Sequence, residues 1–529
     1  MRTNPSAWLK QLAPVRSTRA DPMAAGTSDD LRRRSFLVLA LPIVGAAIAL
    51  HLFRIAGLPM GFYPDESSIG YNAWSIAGSG RDEHGVEWPL YFRAFGEYKN
   101  PVYIYFVALL YKLVGFSEWT TRFASAVCWF VGSAFLFALG CRLFRERAAR
   151  WYLLICLGFT PWLFSLSRVS FELISVYPLL AAHLWAIHRA WEDKSPFWAA
   201  FSGISIGLAF YAYSTFRLLG FLYVLIVLIC YADKRYWRLL VSFLAVVAAT
   251  LAPLVIYLQE HASNLTGRFG TLTYLRDPSL SLVGKAQIFI DRYLDYFGPT
   301  FLALHGDPNR RHHTGYGGEL LLPTAVLLFA GLAYGIVRRG KHCDRFVLVL
   351  IAGLLVSPLA AALTLDHYHS LRAFSLVIFA VLLSTAGLQW IQHRLGERVA
   401  LVLVVATAVH AALYVWNYFA VYPAASVRAF ENYGFKQALE RATTIATGRV
   451  VIDSADNQPY ISALFLGALM RSDRKPTVII GGRDDVRPGD AFIFADPSFA
   501  YRRDGLPANG LYAIQGVDDI HKAPTAPLD

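Results

Sequence analysis

Apolar runs of about 20 residues recur from Ser35 to Ala420, and they restrict the possible folds of this chain more than any other feature. A helix needs about 20 apolar residues to cross the hydrocarbon core of a bilayer. Only 16% of the residues are charged and 56% are hydrophobic, whereas a soluble chain carries roughly 25% charged residues. These values exclude a disordered chain, a coiled coil and an ordinary soluble enzyme. They predict an α-helical polytopic membrane protein.

The runs predict about eleven transmembrane helices and one shorter helix. Pro101 to Leu113 is also apolar, but it begins at a proline, contains Lys112 and is too short to cross. We therefore predict a juxtamembrane helix over Pro101 to Gly115. The predicted spans are Ser35–Ala56, Thr121–Cys141, Trp151–Ser167, Leu173–His188, Pro196–Tyr213, Leu218–Ala232, Leu239–Leu258, Leu320–Val337, Phe346–Leu365, Ala373–Ile391 and Val399–Ala420.

The net charge of +12 indicates how the helices are oriented. Basic residues gather in the cytoplasmic loops of membrane proteins. If Pro101 to Gly115 lies on the surface, every basic loop cluster faces the same side as the basic tail, 1–34. If it crosses, all the later clusters face outward. We therefore expect a cytoplasmic N-terminus and a periplasmic C-terminus. No nucleic-acid-binding motif is found, and we expect no nucleic-acid partner.

The chain is predicted to consist of a cytoplasmic tail (1–34), a transmembrane domain (35–420) and a periplasmic domain (421–529). Two long loops of the transmembrane domain, 57–120 and 259–319, also face outward. The C-terminal part alternates short apolar strands with a helix, which predicts a small α/β domain. Its predicted strands are Arg449–Ser454, Thr477–Gly482, Ala491–Pro497 and Leu511–Gly516, and its predicted helix is Pro459–Met470.

Ionisable side chains are nearly absent from the middle of the spans and frequent on their outer side. A transporter usually keeps charges near mid-membrane, so this distribution argues against one. On the outer rim, carboxylates and cations come from five separate segments. These residues include Asp65, Glu66, Lys99, Arg122, Glu172, Arg217, His305, Asp307, His367, His369 and Arg372.

Short motifs in a fixed order carry most of these residues. They are Gly61-Phe62-Tyr63-Pro64-Asp65-Glu66, Ser79-Gly80-Arg81-Asp82-Glu83-His84-Gly85, Glu97-Tyr98-Lys99-Asn100-Pro101, Gly115-Phe116-Ser117-Glu118-Trp119-Thr120-Thr121-Arg122, Ser167-Arg168-Val169-Ser170-Phe171-Glu172, Tyr211-Ala212-Tyr213-Ser214, His305-Gly306-Asp307 and His369-Ser370-Leu371-Arg372-Ala373. This set resembles the GT-C membrane glycosyltransferases, in particular the protein O-mannosyltransferases and the transferases that add aminoarabinose or other sugars to lipid A. The resemblance covers the membrane part and fades in the tail.

The resemblance implies a GT-C fold and transfer of a hexosyl or pentosyl group from a polyprenyl-phosphate sugar at the outer leaflet. The acceptor would be a lipid, a glycan or a protein. A bacterial inner membrane is the expected location. Nucleotide sugars are not expected outside the cytoplasm, and no Gly-rich phosphate loop is found on the cytoplasmic side, so a lipid-borne donor also fits the charged outer rim.

The chemistry needs a carboxylate that takes the acceptor's proton and cations that stabilise the leaving phosphate, and it would invert the sugar carbon. We predict Asp65 as the base, because it matches the family's acidic residue after the first span, with Glu66 as a supporting catalytic carboxylate. Lys99 matches the lysine implied to contact the donor phosphate. Arg372, Arg122 and Arg217 are further candidates for that phosphate. Glu172, His369 and Asp307 are candidates for orienting the acceptor or supporting the site.

Structural explanations compete with each of these assignments. Asp65 and Glu66 could be a solvated helix end, Lys99 could extend to the lipid headgroups, and arginines at span ends often bind lipid phosphate without catalysis. The outer histidines, among them His312 and His313, match no compact zinc spacing, so no metal and no cofactor is expected. Two other functions stay open: a carrier or flippase of lipid-linked sugar, and a lipid-bound scaffold whose tail recruits partners.

The topology can be tested by labelling probe cysteines from outside intact cells. We expect a probe at Gly85 and a probe in the C-terminal domain both to react, because both segments are predicted to face outward. Reaction of the Gly85 probe alone would mean that Pro101 to Gly115 crosses the membrane.

Overall fold

The computed structural model describes residues 38–338, 345–470, 477–495 and 512–515. The predicted tail, 1–34, lies outside them. The chain divides into two units, Met1–Ala47 and Ile48–Asp529. In the first unit, residues 38–47 are helical. The features discussed below belong to the second unit.

Helices make up most of the described residues, and at least one lies in each predicted span. They are α1 (Val38–Leu52), α2 (Pro64–Ser79), α3 (Pro101–Val114), α4 (Glu118–Leu143), α5 (Arg147–Phe159), α6 (Pro161–Leu166), α7 (Val176–Glu192), α8 (Pro196–Ala209), α9 (Phe216–Tyr231), α10 (Trp237–Leu272), α11 (Leu282–Asp295), α12 (Leu322–Arg338), α13 (Arg345–Val356), α14 (Leu359–Ala362), α15 (Ser370–Ala373), α16 (Ser375–Leu395), α17 (Glu397–Ala420), α18 (Tyr422–Phe430), α19 (Phe435–Ile445) and α20 (Pro459–Leu469).

Within the described residues, five helical segments are long and apolar enough to cross a membrane by length and composition alone. The count of about eleven spans therefore stays a prediction. The five segments are Glu118–Leu143, Lys234–Ala262, Arg345–Ala362, Ser375–Leu395 and Glu397–Ala420.

One predicted span is broken into two helices, and the predicted short helix is present. The span predicted over Trp151–Ser167 is broken between α5 and α6, where Pro161 begins the second helix, because proline lacks the N–H that would continue the first. The 14-residue α3 rises about 21 Å at 1.5 Å per residue. That rise is shorter than the roughly 30 Å core, which agrees with the predicted juxtamembrane helix.

The first outer loop contains a helix and a hairpin that the apolar pattern did not indicate. Helix α2 begins at Pro64, a favourable first residue, and ends at Gly80, whose φ of 73° is left-handed. The hairpin pairs β1 (Phe92–Ala94) with β2 (Glu97–Lys99). Phe95 and Gly96 form its two-residue turn, both with positive φ, as the twist of a tight hairpin requires. Lys99 is therefore the last residue of a strand.

The C-terminal elements match their predictions within two residues at each end. Strands β3 (Val450–Asp453), β4 (Val478–Gly481), β5 (Ala491–Ala495) and β6 (Tyr512–Gln515) form one sheet in the order β4-β3-β5-β6. The β3 strand pairs in parallel with β4 and β5, and β6 runs antiparallel to β5. Location of this α/β part in the periplasm stays a prediction.

The C-terminal part packs on the first outer loop through aromatic rings. Phe465 of α20 is fully buried. Its ring stacks on Phe62 with centroids 5.0 Å apart and meets the edge of Phe116 at 5.5 Å. Gly70 of α2 lies directly under the same ring. The absence of a side chain at Gly70 therefore lets α2 and α20 approach closely.

Two glycines of α2 offer a matched test of this packing. We expect Gly70→Ala to lower the free energy of unfolding by about 1–3 kcal/mol, because the new methyl group would collide with the enclosed Phe465 ring. Gly78→Ala in the same helix has open space around it and should be neutral or stabilising by about 0.5–1 kcal/mol. Thermal unfolding in detergent compares the two, and equal melting temperatures would contradict the close contact.

Candidate active site

The first turn of α2 directs two adjacent carboxylates in different directions. Glu66 is fully buried, whereas the side chain of Asp65 is 35% exposed. Glu66 accepts hydrogen bonds from Nε and Nη2 of Arg122, both at 2.8 Å. The backbone N–H groups of Ser170, at 2.9 Å, and Tyr63, at 3.1 Å, also donate to it. Glu66 is therefore a buried carboxylate with four hydrogen bonds, and its role as a supporting catalytic carboxylate stays a prediction.

Arg122 is also fully buried and does not reach the cavity that Asp65 faces. Besides binding Glu66, its guanidinium donates to backbone carbonyls of the segment that precedes α2. The structure therefore does not bring this arginine to a position where it could hold a donor phosphate. The carbonyls belong to Ile55, Ala56, Pro59 and Gly61.

Asp65, in the first turn of α2, forms an ion pair with Lys99, the last residue of β2. Lys99 Nζ donates to Asp65 Oδ1 at 2.5 Å, and the lysine side chain is only 6% exposed. Burial alone would lower the pKa of Lys99, but the negative charges of Asp65 and Glu172 outweigh it and raise that pKa. The ammonium group therefore stays charged beside the carboxylate.

Asn100, the residue after Lys99, connects two more predicted site residues. Its backbone N–H and its side-chain amide donate to Glu172, at 2.7 and 2.9 Å. Its side-chain oxygen accepts from Arg217 Nη2 at 3.0 Å. Glu172 and Arg217 thus belong to one polar network with the hairpin that carries Lys99.

Two neighbouring cavities meet at this network. A polar one of about 170 Å³ is lined by Asp65, Lys99, Glu172, Arg311, His312, His369 and Arg372, among others. A more apolar one of about 380 Å³ is lined by Leu218, Phe269, Leu272, Leu363 and Arg217, among others. Four residues line both: Glu172, Ser214, Leu272 and Arg372.

Behind the polar cavity lies a buried acidic network. Asp307 Oδ2 accepts from Ser370 N at 2.7 Å and lies 2.9 Å from His312 Nδ1. Glu319 accepts from Asp307 N and from the Ser370 hydroxyl. Although burial raises the pKa of Asp307, the bonds from His312 and its neighbours lower it overall. Asp307 therefore supports His312 and does not itself line the cavity.

Asp307, His312 and His369 bring three possible metal-ligand atoms within 4.8 Å of one another. A carboxylate and two imidazoles are a donor set that a divalent metal can use. The Asp307 oxygen nearest to His312 already accepts two hydrogen bonds. The expectation that no metal is needed stays a prediction.

The structure brings five of the nine predicted site residues to the polar cavity: Asp65, Lys99, Glu172, His369 and Arg372. Arg217 lines the apolar cavity, while Glu66, Arg122 and Asp307 are buried away from both. The sequence-based assignment missed Asn100, Arg311 and Glu319. Only Asn100 had a signal, its place between Lys99 and the proline that begins α3. Arg372 also donates to Asp366 at 2.6 Å.

Glu319 predicts a pH dependence of stability. Burial, together with the charge of Asp307, raises the pKa of Glu319 from 4.5 to about 8. Because the folded value is the higher one, the stabilising contribution is complete below the unfolded pKa and is lost as the pH rises through the folded pKa. We expect the wild-type melting temperature in detergent to fall from about pH 5 to pH 8 and Glu319→Gln to flatten that slope. Glu87→Gln, an exposed control, should keep it. An unchanged slope in Glu319→Gln would contradict the raised pKa.

Comparison with known proteins shows what this architecture is similar to. Residues 98–258 match the family described as dolichyl-phosphate-mannose-protein mannosyltransferase. Comparison with curated protein sequences gave no match.

Solved structures match over most of the chain. ArnT from Cupriavidus metallidurans, bound to undecaprenyl phosphate, superposes with a TM-score of 0.57 at 12% identity, over 86% of this chain and 93% of ArnT. The oligosaccharyltransferase AglB from Archaeoglobus fulgidus, in complex with an inhibitory peptide and a dolichol-phosphate, gives 0.50 at 13% identity, over 81% and 64% of the two chains. The chain is therefore an integral membrane protein with the GT-C fold of these glycosyltransferases, and its segment 98–258 matches the protein mannosyltransferase family.

Proposed function

We propose that this protein is an inverting glycosyltransferase that moves a sugar from a polyprenyl-phosphate donor to a hydroxyl group of a lipid, glycan or protein. The observation that carries the proposal is the Asp65–Lys99 pair in a polar cavity that shares Arg372 with an apolar cavity. The lipid phosphates named in the ArnT and AglB structures support a donor of the same class.

The two cavities suit the two halves of such a donor. The prenyl chain occupies the larger cavity against Leu218, Phe269 and Leu363, where burial of apolar surface favours it. The sugar occupies the smaller, polar cavity. The phosphate then lies where the cavities meet, within reach of Arg372, and guanidinium and ammonium groups there stabilise it.

The reaction is a single displacement at the anomeric carbon. The acceptor oxygen forms a bond to that carbon as the bond from the carbon to the phosphate oxygen breaks, and the leaving phosphate keeps the electron pair. Asp65 takes the proton from the acceptor hydroxyl. Attack from the side opposite the phosphate inverts the sugar carbon. Lys99 and Arg372 stabilise the charge that develops on the phosphate, so the reaction is complete without a cofactor.

The ion pair itself gives the donor a role in activating the base. Without donor, the Lys99 ammonium neutralises Asp65 at 2.5 Å. A phosphate that draws the ammonium toward itself releases part of this interaction, so the carboxylate becomes a better proton acceptor only when donor is present. We place the site at the periplasmic face of a bacterial inner membrane, because the basic clusters lie on the other side of the predicted topology.

The proposal predicts that Asp65→Asn abolishes sugar transfer. We expect turnover to fall by at least about 100-fold, because loss of a general base typically costs that much, while donor binding persists. Purified protein would be given a panel of labelled polyprenyl-phosphate sugars, with an extract of outer-membrane lipids and cell-envelope proteins as acceptor.

Glu87→Gln is the control, because Glu87 is an exposed carboxylate that pairs with exposed Arg81, and it should transfer sugar like the wild type. Wild-type turnover in Asp65→Asn would remove Asp65 as the base. If the wild type consumed no donor but moved it across a reconstituted bilayer, the protein would be a carrier instead.

A further inference from the structure

The C-terminal part contacts the segment Met60–Phe62, which lies just before α2. Met60 N donates to the hydroxyl of Ser426 at 2.9 Å. Gly61 has a φ of +94°, and a side chain on it would collide with the backbone carbonyl of Glu431. The backbone of residues 60–61, four to five residues before Asp65, therefore lies directly against Ser426 and residues 430–431.

Asn432 is the side chain that joins this segment to the C-terminal sheet. Its amide nitrogen donates to the Phe62 carbonyl at 2.8 Å and to the Ser462 hydroxyl at 2.9 Å. Its amide oxygen accepts from the Tyr512 hydroxyl at 3.1 Å. The Asn432 side chain thus connects the segment before α2 with α20 and β6.

A second contact reaches the wall of the polar cavity. Tyr63 lines that cavity, and the side chain of Asn457 in the C-terminal part lies near its hydroxyl. Asn457 in turn donates to Glu431 at 3.0 Å. The segment from Met60 to Phe62 is therefore held from the C-terminal side by backbone hydrogen bonds and by the Phe62 ring, which stacks on Phe465.

We propose that the C-terminal α/β part positions Asp65 for proton transfer and that Asn432 is the positioning residue through which it acts. This inference rests on the proposed function. Phe62 lies two residues before the start of α2 and three residues before Asp65. A shift of the Phe62 carbonyl therefore moves the first turn of α2, which carries Asp65. Lys99, Arg372 and the apolar cavity belong to other elements of the chain. Loss of the Asn432 contact therefore lowers the rate of transfer and leaves the affinity for donor unchanged.

Asn432→Asp isolates the donated hydrogen bond. Aspartate has the same shape and tolerates the φ of 45° at this position, but a carboxylate cannot donate to the Phe62 carbonyl. Tyr512→Phe is the matched control: it removes the hydrogen bond on the other side of Asn432 and leaves the bond to Phe62 intact. Comparison of the two variants separates the link to α2 from a general weakening of the C-terminal part.

Two measurements on the full-length protein test the proposal. We expect Asn432→Asp to lower kcat by roughly 10- to 100-fold with the donor KM unchanged, and to speed hydrogen exchange at the amides of residues 58–68. Tyr512→Phe should match the wild type in both. Equal exchange of this segment in Asn432→Asp and the wild type, or equal kcat loss in the two variants, would overturn the proposal.

A second variant covers the case in which Asn432→Asp does not fold. Asn432 is partly exposed and has a φ of 45°, so Asn432→Gly removes the side chain without backbone strain. It should lower kcat and speed exchange of residues 58–68 as Asn432→Asp does, and wild-type values in both would overturn the proposal. If the wild type transfers no sugar from any donor, the proposed function fails, but the exchange measurement still decides whether the C-terminal part holds this segment.

Discussion

The buried ion pair between Arg122 and Glu66 is the interaction on which the candidate site depends. Both side chains are fully buried, and such a pair is tolerated only when nearly every donor and acceptor is bonded. Here the guanidinium also binds four backbone carbonyls of residues 55–61. Removing one partner of a buried pair typically costs about 3–5 kcal/mol. The pair therefore fixes both the segment before α2 and the rotation of its first turn.

That rotation determines which of two adjacent carboxylates faces the polar cavity. Successive residues of a helix point about 100° apart, so once Glu66 faces Arg122 the next carboxylate must face elsewhere. Asp65 faces the cavity and meets Lys99. The lysine comes from a hairpin whose tight turn at Phe95 and Gly96 fixes its register. Two separately constrained backbones thus bring the proposed base and the cation together.

The sequence indicated more of the fold than of the site. Apolar runs and helix-starting prolines located the helices, and alternating short runs located β3 to β6, because these signals are local. Only the family resemblance separated Asp65 from Glu66, because their surroundings depend on where Arg122 lies, 56 residues away from Glu66. Arg122 resembled a phosphate ligand for the same reason. Glu319 gave no signal at all, because its effect arises from burial beside Asp307.

The charges around the polar cavity suit the singly charged donor that we propose. Lys99, Arg311 and Arg372 face Asp65 and Glu172, which leaves one positive charge in excess among these side chains. Asp366 also pairs with Arg372, but its side chain is 52% exposed, so solvent screens its charge. A phosphodiester, with one negative charge, would balance the excess. The phosphate monoester that remains after transfer has a second pKa near 6 and carries about 1.5 to 2 negative charges at neutral pH. In the proposed reaction Asp65 holds the acceptor's proton directly after transfer, so the excess is then two positive charges and balances this product. Once Asp65 returns the proton to solvent, the phosphate exceeds the available positive charge and its release is favoured.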